Sequence, residues 1–211
     1  MKLLPLFLLL SAMCWAQPQV VTAGDEGAKD PSFLTYRQNL LAAVKRHDLA
    51  AVSAALDPQI RYSYGIQKPG REGFFAAWKV KKGDPSLWKE MEDVLVHGGA
   101  FGPNGEFVAP WIYAKWPEKY DSLDYVAVLV PKAPVHARPD AKSPVVAEVG
   151  NTMLKLSRLN EKEHVGWTEV EAGNKKTGYI RNNVVRGGLD FRAIFEKKNG
   201  KWRMMTFIGG D

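Results

Sequence analysis

The side chains most able to do chemistry are four histidines, and their spacing keeps them apart. They lie in four separate parts of the chain, as His47, His97, His136 and His164. No two of them have the spacing that brings two imidazoles onto one metal ion. The sequence therefore predicts no metal site, and nothing in it indicates a cofactor.

Acidic and hydroxyl side chains also lack a catalytic arrangement. Glu90 and Asp93 fall on one helical face, but Lys89 and Glu92 make the same stretch an ordinary charged surface. The chain has no G-x-S-x-G motif, and its glycine-rich segment 98–105 lacks the lysine and hydroxyl residue of a phosphate-binding loop. These patterns predict a protein that is not an enzyme.

The N-terminus has the layout of a secretory signal peptide. Lys2 supplies a positive charge, an apolar run from Leu3 to Leu10 follows, and Ala16 ends the segment with a small residue. The run is too short to span a membrane, so we expect cleavage after Ala16 and a periplasmic or secreted protein. Cleavage would also remove Cys14, the one cysteine, so that the mature protein would have no disulfide, no thiol nucleophile and no thiolate metal ligand. A lipoprotein acylated at Cys14 is the alternative.

The charge balance is basic. The formal net charge is +6, with basic and acidic residues interspersed. An exported basic protein is drawn to anionic surfaces such as acidic wall polymers, while nucleic acid is not expected as a partner outside the cytoplasm. A solvated surface of mixed charge explains the same composition more simply.

The N-terminal half reads as helical, with a few extended segments. Residues 17–30 are polar and turn-rich and predict a linker. Ser32 is the expected N-cap of the first helix. The periodicity predicts helices over 33–46, 48–56, 72–80 and 87–97, a strand over 60–64 and an extended segment over 107–116.

From Tyr125 the pattern changes to short apolar runs separated by turns. These predict strands over 125–130, 145–149, 154–159, 166–170 and 177–180. Asn199-Gly200 then predicts a hairpin over 191–207. The expected fold is α+β: a helical α+β region (31–120), closed by the hairpin (189–208), and a small β-barrel (125–187).

Residues 132–186 resemble a bacterial Src-homology-3 domain. The resemblance rests on the segment from Pro134 to Pro139, on Gly150, on Trp167 with Val170, and on Gly178-Tyr179-Ile180. It implies a barrel that binds a cell-wall peptide or an envelope protein. Arg138, Trp167 and Tyr179 are the candidate contacts, and core packing is the alternative role of the two aromatic residues.

The flanking regions resemble the cone-shaped α+β fold of ketosteroid isomerase and nuclear transport factors. The resemblance rests on the first helix, on Asp57-Pro58 and the strand that follows, on Gly70 to Phe74, and on the closing Gly200-Lys201-Trp202-Arg203. Such folds often hold a pocket lined by aromatic residues. The alternative is that the aromatic residues of this region fill its core. The candidate pocket residues are Tyr62, Tyr64, Trp78, Trp111 and Tyr113.

These observations predict an exported, non-catalytic binding protein whose barrel recognises a cell-wall peptide or an envelope protein. The alternative is a small-molecule-binding or enzymatic cone domain, with the barrel as an accessory. A pocket of converging tyrosines around one buried carboxylate would favour the alternative, and a solid N-terminal core would favour the binding protein.

Overall fold

The structure, a computed structural model, describes residues 20–65, 70–157, 164–172 and 177–210. The predicted signal peptide, with Lys2, Cys14 and Ala16, lies outside the described residues. The α-helices are α1 (Pro31–Lys45), α2 (Leu49–Ala55), α3 (Gly70–Ala77), α4 (Ser86–Val96) and α5 (Trp111–Ala114). The strands are β1 (Leu56–Arg61), β2 (Ala100–Phe101), β3 (Phe107–Ala109), β4 (Tyr125–Val128), β5 (Ala133–His136), β6 (Val145–Val149), β7 (Met153–Lys155), β8 (Trp167–Glu171), β9 (Thr177–Arg181), β10 (Val185–Gly187), β11 (Arg192–Lys198) and β12 (Lys201–Ile208). The fold is α+β.

Helix α1 begins two residues before the predicted start, and its N-cap is Asp30 instead of Ser32. The side chain of Asp30, not that of Ser32, accepts hydrogen bonds from the first free backbone N–H groups, those of Ser32 and Phe33. Pro31 occupies the first helical position, where its missing N–H costs nothing. Hydrogen bonds from Ser32 and Phe33, together with one from Lys197, lower the pKa of Asp30 to about 2.

A five-stranded sheet joins distant parts of the chain in the order β1-β12-β11-β3-β2. Strands β11 and β12 form a hairpin around Asn199 and Gly200, which both have the positive φ that a tight hairpin turn requires. Residues 125–187 are therefore inserted, in chain order, between strands of this one sheet. We call the sheet with helices α1–α5 the α+β unit, and residues 125–187 the β unit.

The α+β unit is built around aromatic side chains. Phe33 of α1 is fully buried, and its ring centroid lies 4.1 Å from that of Phe107 and 5.4 Å from that of Phe195. Phe74 and Phe207 are also fully buried, in the same cluster. Helix α4 adds Leu87, Met91 and Val94, which follow helical spacing along its inner face.

The β unit corrects the expectation of a barrel. Its described strands form two separate sheets, β10-β4-β7 and β6-β5-β9-β8, rather than one closed sheet. Strand β4 is already paired on both sides, by β10 and β7, and so has no free edge for β5. One isolated bridge, between Leu156 and Val170, links the two sheets. A small cluster that includes Val126, Val128, Val135 and Ile180 fills the space between them.

Parts of the predicted linker contact the rest of the protein. Val21 is buried against Ile112, Ala127 and Met153, and its N–H donates to the carbonyl of Asn151 over 2.7 Å. Farther along, Asp25 accepts two hydrogen bonds from Arg37 of α1. Residues 20–29 thus touch both units, which a free linker would not.

Candidate functional site

Two of the three predicted contact residues share one face of the β unit. Trp167 of β8 lies opposite Arg181 of β9, and Tyr179 of β9 lies opposite both Glu169 of β8 and His136 of β5. Residues that lie opposite each other on antiparallel strands point to the same side of a sheet. Val135, Val170 and Ile180 point to the other side, into the aliphatic cluster. Trp167 and Tyr179 therefore lie outside that cluster, on the outer face.

Polar neighbours cover most of both rings. The guanidinium of Arg181 lies 4.0 Å from the centre of the Trp167 ring, and His136 meets the same ring edge-on at 5.3 Å. Tyr179 is packed edge-on against His164, and its hydroxyl is 3.4 Å from a carboxylate oxygen of Glu169. Each ring is 8% exposed. The outer face is a layer of stacked aromatic and charged groups.

Arg138 lies in the turn after β5 with its side chain exposed. Its backbone is held by Ser143, whose hydroxyl accepts from the Arg138 N–H over 3.2 Å and donates to the Arg138 carbonyl over 3.1 Å. The buried imidazole of His136 donates from Nδ1 to the carbonyl of Ser143 over 3.0 Å. Arg138 is thus carried by a turn that is fixed to the aromatic face.

The structure divides the five predicted pocket residues among three places. Tyr62 and Trp78 pack against the aromatic core, with ring centroids 5.9 Å and 6.4 Å from that of Phe74. The guanidinium of Arg192 lies 5.7 Å from the ring of Tyr64 and 5.0 Å from that of Tyr113, and it donates to the carbonyl of Gly210 over 2.8 Å. Trp111 lines a different cavity.

A cleft of about 1240 Å³ separates helix α4 from the β unit. One wall is the exposed side of α4, and the other carries Arg181, Asn182, Asn183 and Arg186. The acidic side chains in the cleft are Glu90, Glu92, Asp93 and Asp190, and the basic ones are Lys89, Arg181 and Arg186. The walls are therefore of mixed charge.

Arg186 is the most buried charged residue of this cleft, at 5% exposed. Its guanidinium forms an ion pair with Asp93 of α4 and donates to the carbonyl of Phe191 over 2.7 Å. Burial lowers the pKa of Arg186, and the charges of Asp190 and Glu90 oppose that shift. Among the described residues, Nε of Arg186 is the one buried side-chain polar atom without a hydrogen-bond partner.

His97 follows α4 directly and lines the same cleft. Its Nδ1 lies 2.7 Å from the Asp93 carbonyl, which can only accept, so Nδ1 carries the proton. The other ring nitrogen, Nε2, is then a hydrogen-bond acceptor in the neutral imidazole. Burial lowers the pKa of His97, so that this neutral form is favoured.

A smaller, mostly apolar pocket of about 380 Å³ opens beside His97. Trp111, Ile112, Val96 and Leu129 form its apolar lining, and Val96, His97 and Leu129 belong to the cleft as well. Residues 22–25 complete the wall, and a Cβ on Gly24 would overlap the Trp111 ring. The pocket and the cleft therefore meet along one edge.

Sequence reasoning did not identify Arg186, nor the role of His97. His97 is one of the four histidines without metal-binding spacing, and Arg186 follows two valines and precedes two glycines, with no local signal of a role. The two meet through Asp93, which is 93 residues from Arg186 along the chain. Only the tertiary fold brings them together.

Neither metal ligands nor membrane segments stand out in the described part of the chain. Within residues 20–65, 70–157, 164–172 and 177–210, His, Cys, Asp and Glu form no group of three or more that could hold a metal ion. Over the same residues, no helix has both the length and the apolarity needed to cross a bilayer.

Comparison with known proteins gives one weak likeness. No protein-family model and no curated protein matches the chain. A solved structure of an NTF2-like protein of unknown function from Pseudomonas putida KT2440 is 12% identical and has a TM-score of 0.30. The match covers 89% of each chain. A likeness of this degree assigns neither a fold family nor a function to this protein.

Proposed function

We propose that this chain is an exported, non-catalytic binding protein, and that its β unit recognises an extended peptide of the cell wall. The observation that supports this most is the outer face of β5, β8 and β9. That face carries Trp167 and Tyr179 together with the charged side chains of Arg181 and Glu169.

Such a face suits an extended peptide. Rings with a polar tip can pack against apolar side chains and still offer a hydrogen bond at the edge. Domains that bind extended peptides use aromatic-lined grooves for this purpose. Arg138, exposed beside this face, adds a positive charge that can pair with a peptide carboxylate.

The α+β unit supports the same proposal by contrast. Phe33, Phe107, Phe195 and Phe207 are each fully buried in its interior. Phenylalanines packed in this way leave few voids in a protein interior. Of the predicted tyrosines, Tyr62 packs against this core, while Tyr64 and Tyr113 lie against Arg192.

Retention on purified peptidoglycan tests the proposal. We expect residues 17–211, the form left by the proposed signal cleavage, to be retained at low salt and also at moderate salt. Tyr179→Ala should lose the salt-resistant part. Tyr120→Ala, a change at a half-buried tyrosine outside the β unit, is the matched control and should be retained like the unchanged chain.

Other outcomes are equally informative. Retention that disappears with added salt would indicate only non-specific electrostatic attraction between a basic protein and an acidic polymer. No retention at either salt concentration would contradict wall recognition and would direct the search to an envelope protein or a small molecule.

A further inference from the structure

We propose that the pocket beside Trp111 binds a small uncharged molecule that has a flat aromatic ring and one N–H or O–H donor. The ring would lie against the apolar wall of the pocket, and the donor would bond to Nε2 of His97. This inference goes beyond the function proposed above, because it assigns a second site to a different class of ligand. Trp167 and Tyr179, the aromatic residues of the outer face, are not in its lining.

The first argument is the size and the lining of the pocket. Its volume of about 380 Å³ lies within the range of about 300–1,000 Å³ that small-ligand sites occupy. Trp111, Ile112 and Leu129 give it an apolar wall. Val96 belongs to the same wall and is 49% exposed, although it is a large apolar residue. A ring that covers Val96 would remove this surface from water and pack against the ring of Trp111.

The second argument is that hydrogen bonds fix the walls before a ligand binds. The N–H of Trp111 donates to the carbonyl of His97 over 3.1 Å, which ties α5 to the end of α4. The N–H of Glu26 donates to the carbonyl of Gly99 over 2.8 Å, which holds the wall segment 22–25 beside the same turn. A site whose walls are already in place avoids the cost of ordering loops on binding.

The third argument is an acceptor at the edge of the pocket. The Nδ1–H of His97 is engaged with the carbonyl of Asp93, so Nε2 is the acceptor of the neutral imidazole. Of the described residues none donates to Nε2, and Nε2 is not a buried atom, so a ligand can reach it. His97 lines both the pocket and the cleft, which meet at its side chain. A ring in the pocket can therefore donate to Nε2 from its rim.

The charges around the pocket favour an uncharged ligand. Asp25, which lines the pocket, is in an ion pair with Arg37 of α1. Asp93, which contacts His97, is in an ion pair with Arg186. Burial lowers the pKa of His97, so its imidazole is neutral at pH 7 and offers no charge to an anion. A charged ligand would lose hydration without meeting an unpaired opposite charge.

Calorimetric titration of indole into residues 17–211 tests the proposal, with benzofuran as the matched ligand. Benzofuran has the shape of indole but carries an oxygen in place of the N–H, so it has no donor for Nε2. Indole should bind about threefold to tenfold more tightly than benzofuran, which is the effect of one hydrogen bond. Indole should also raise the melting temperature, because the pocket exists only in the folded chain.

Three variants locate the ligand. Val96→Phe fills part of the pocket and should weaken indole binding at least about tenfold, the effect of losing the burial of part of a ring. Leu49→Phe is the control, since it adds the same ring on α2 at a position that is 37% exposed, and it should bind indole like the unchanged chain. His97→Phe keeps a ring but removes the acceptor, so indole and benzofuran should bind it with equal affinity.

A thermal melt of each variant without ligand shows whether its fold is intact, and His97→Phe decides the test if Val96→Phe disturbs folding. No binding of indole to the unchanged chain, or full binding to folded Val96→Phe, would overturn the pocket as the site. Equal affinities for indole and benzofuran in the unchanged chain, or a preference for indole that His97→Phe retains, would overturn the bond to His97. Since no peptidoglycan is used, these outcomes are independent of the test of wall recognition.

Discussion

The α+β unit and the β unit use aromatic side chains in opposite ways. In the α+β unit, phenylalanines such as Phe33, Phe107 and Phe195 are fully buried at the centre of one core. In the β unit the centre is filled by valine, alanine and isoleucine, and Trp167 and Tyr179 lie on the outer face. A two-sheet unit of this size has little interior volume, so large rings have to lie outside it. Rings placed there are covered by charged and polar groups, and these groups form the surface that a ligand would contact.

The comparison predicts that the largest loss of stability comes from the α+β unit. Phe33→Ala should lower the free energy of unfolding by about 3–5 kcal/mol, because it leaves a cavity among several other rings. Denaturant unfolding, followed by tryptophan fluorescence, measures the change. Leu49→Ala, at an exposed position, is the control and should change stability little. A loss for Phe33→Ala as small as that of the control would contradict the assignment of this core.

Trp167→Ala should cost less than Phe33→Ala. Its ring contacts are Arg181 and His136 rather than the aliphatic cluster, so we expect about 2–3 kcal/mol, below the range for a central aromatic residue. A circular-dichroism melt compares the two variants directly. A loss equal to that of Phe33→Ala would show that the outer face is a second core.

Gly98→Ala tests the contact between the turn after α4 and residues 20–29, the segment that touches both units. Gly98 has a φ of 66°, and a Cβ there would overlap the carbonyl oxygen of Gly24. Gly105, with a φ of 82° and no atom within 4 Å of a built Cβ, is the matched control. Both variants carry the strain of a positive φ, but only Gly98→Ala also overlaps a backbone carbonyl. Gly98→Ala should therefore be destabilised by about 1–2 kcal/mol more than Gly105→Ala. Equal melting temperatures of the two variants would mean that the segment around Gly24 moves away from residue 98 without loss of stability.

The smallest expected effect is the pH dependence that His97 contributes. Its pKa is lowered in the folded state, so the unfolded chain binds this proton more readily. Stability from His97 is therefore complete above its ordinary pKa of 6.5 and is lost as the pH falls through its lowered pKa. His97→Asn should remove this part of the pH dependence in denaturant unfolding as the pH falls below 6.5. An unchanged profile in the variant would count against the buried, neutral imidazole.

Patterns local to the sequence predicted the main elements well. Helix α4 was expected over 87–97 and is observed at Ser86–Val96, where the apolar spacing is regular and two glycines follow. The hairpin was placed correctly because Asn199-Gly200 requires a tight turn. In both cases the signal lies within one element.

The errors arose where the tertiary fold overrode a local signal. The periodicity predicted a helix to residue 56 and a strand over 60–64, whereas β1 already begins at Leu56, before Pro58. Proline is tolerated there because β1 is the edge strand of its sheet. The segment 107–116 was expected to be extended throughout, but it changes to helix α5 after Pro110.

The cleft could not be predicted because no part of it is local. Asp93, His97 and Arg186 belong to α4, the turn after it, and β10, and each looks like a surface residue in its own segment. Their relation depends on how the inserted β unit is docked against α4. The aromatic face was partly foreseen, since Trp167 and Tyr179 could be assigned to neighbouring strands, but their neighbours His136 and Arg181 could not.

Hydrogen–deuterium exchange tests the central claim, peptide recognition on the outer face of the β unit, most directly. It compares residues 17–211 alone with the same chain saturated by amidase-released stem peptides. The account predicts slower amide exchange over 135–138, 167–171 and 177–181, with no change in α1. Unchanged exchange in all three segments, or slower exchange confined to β1 and α3, would contradict it.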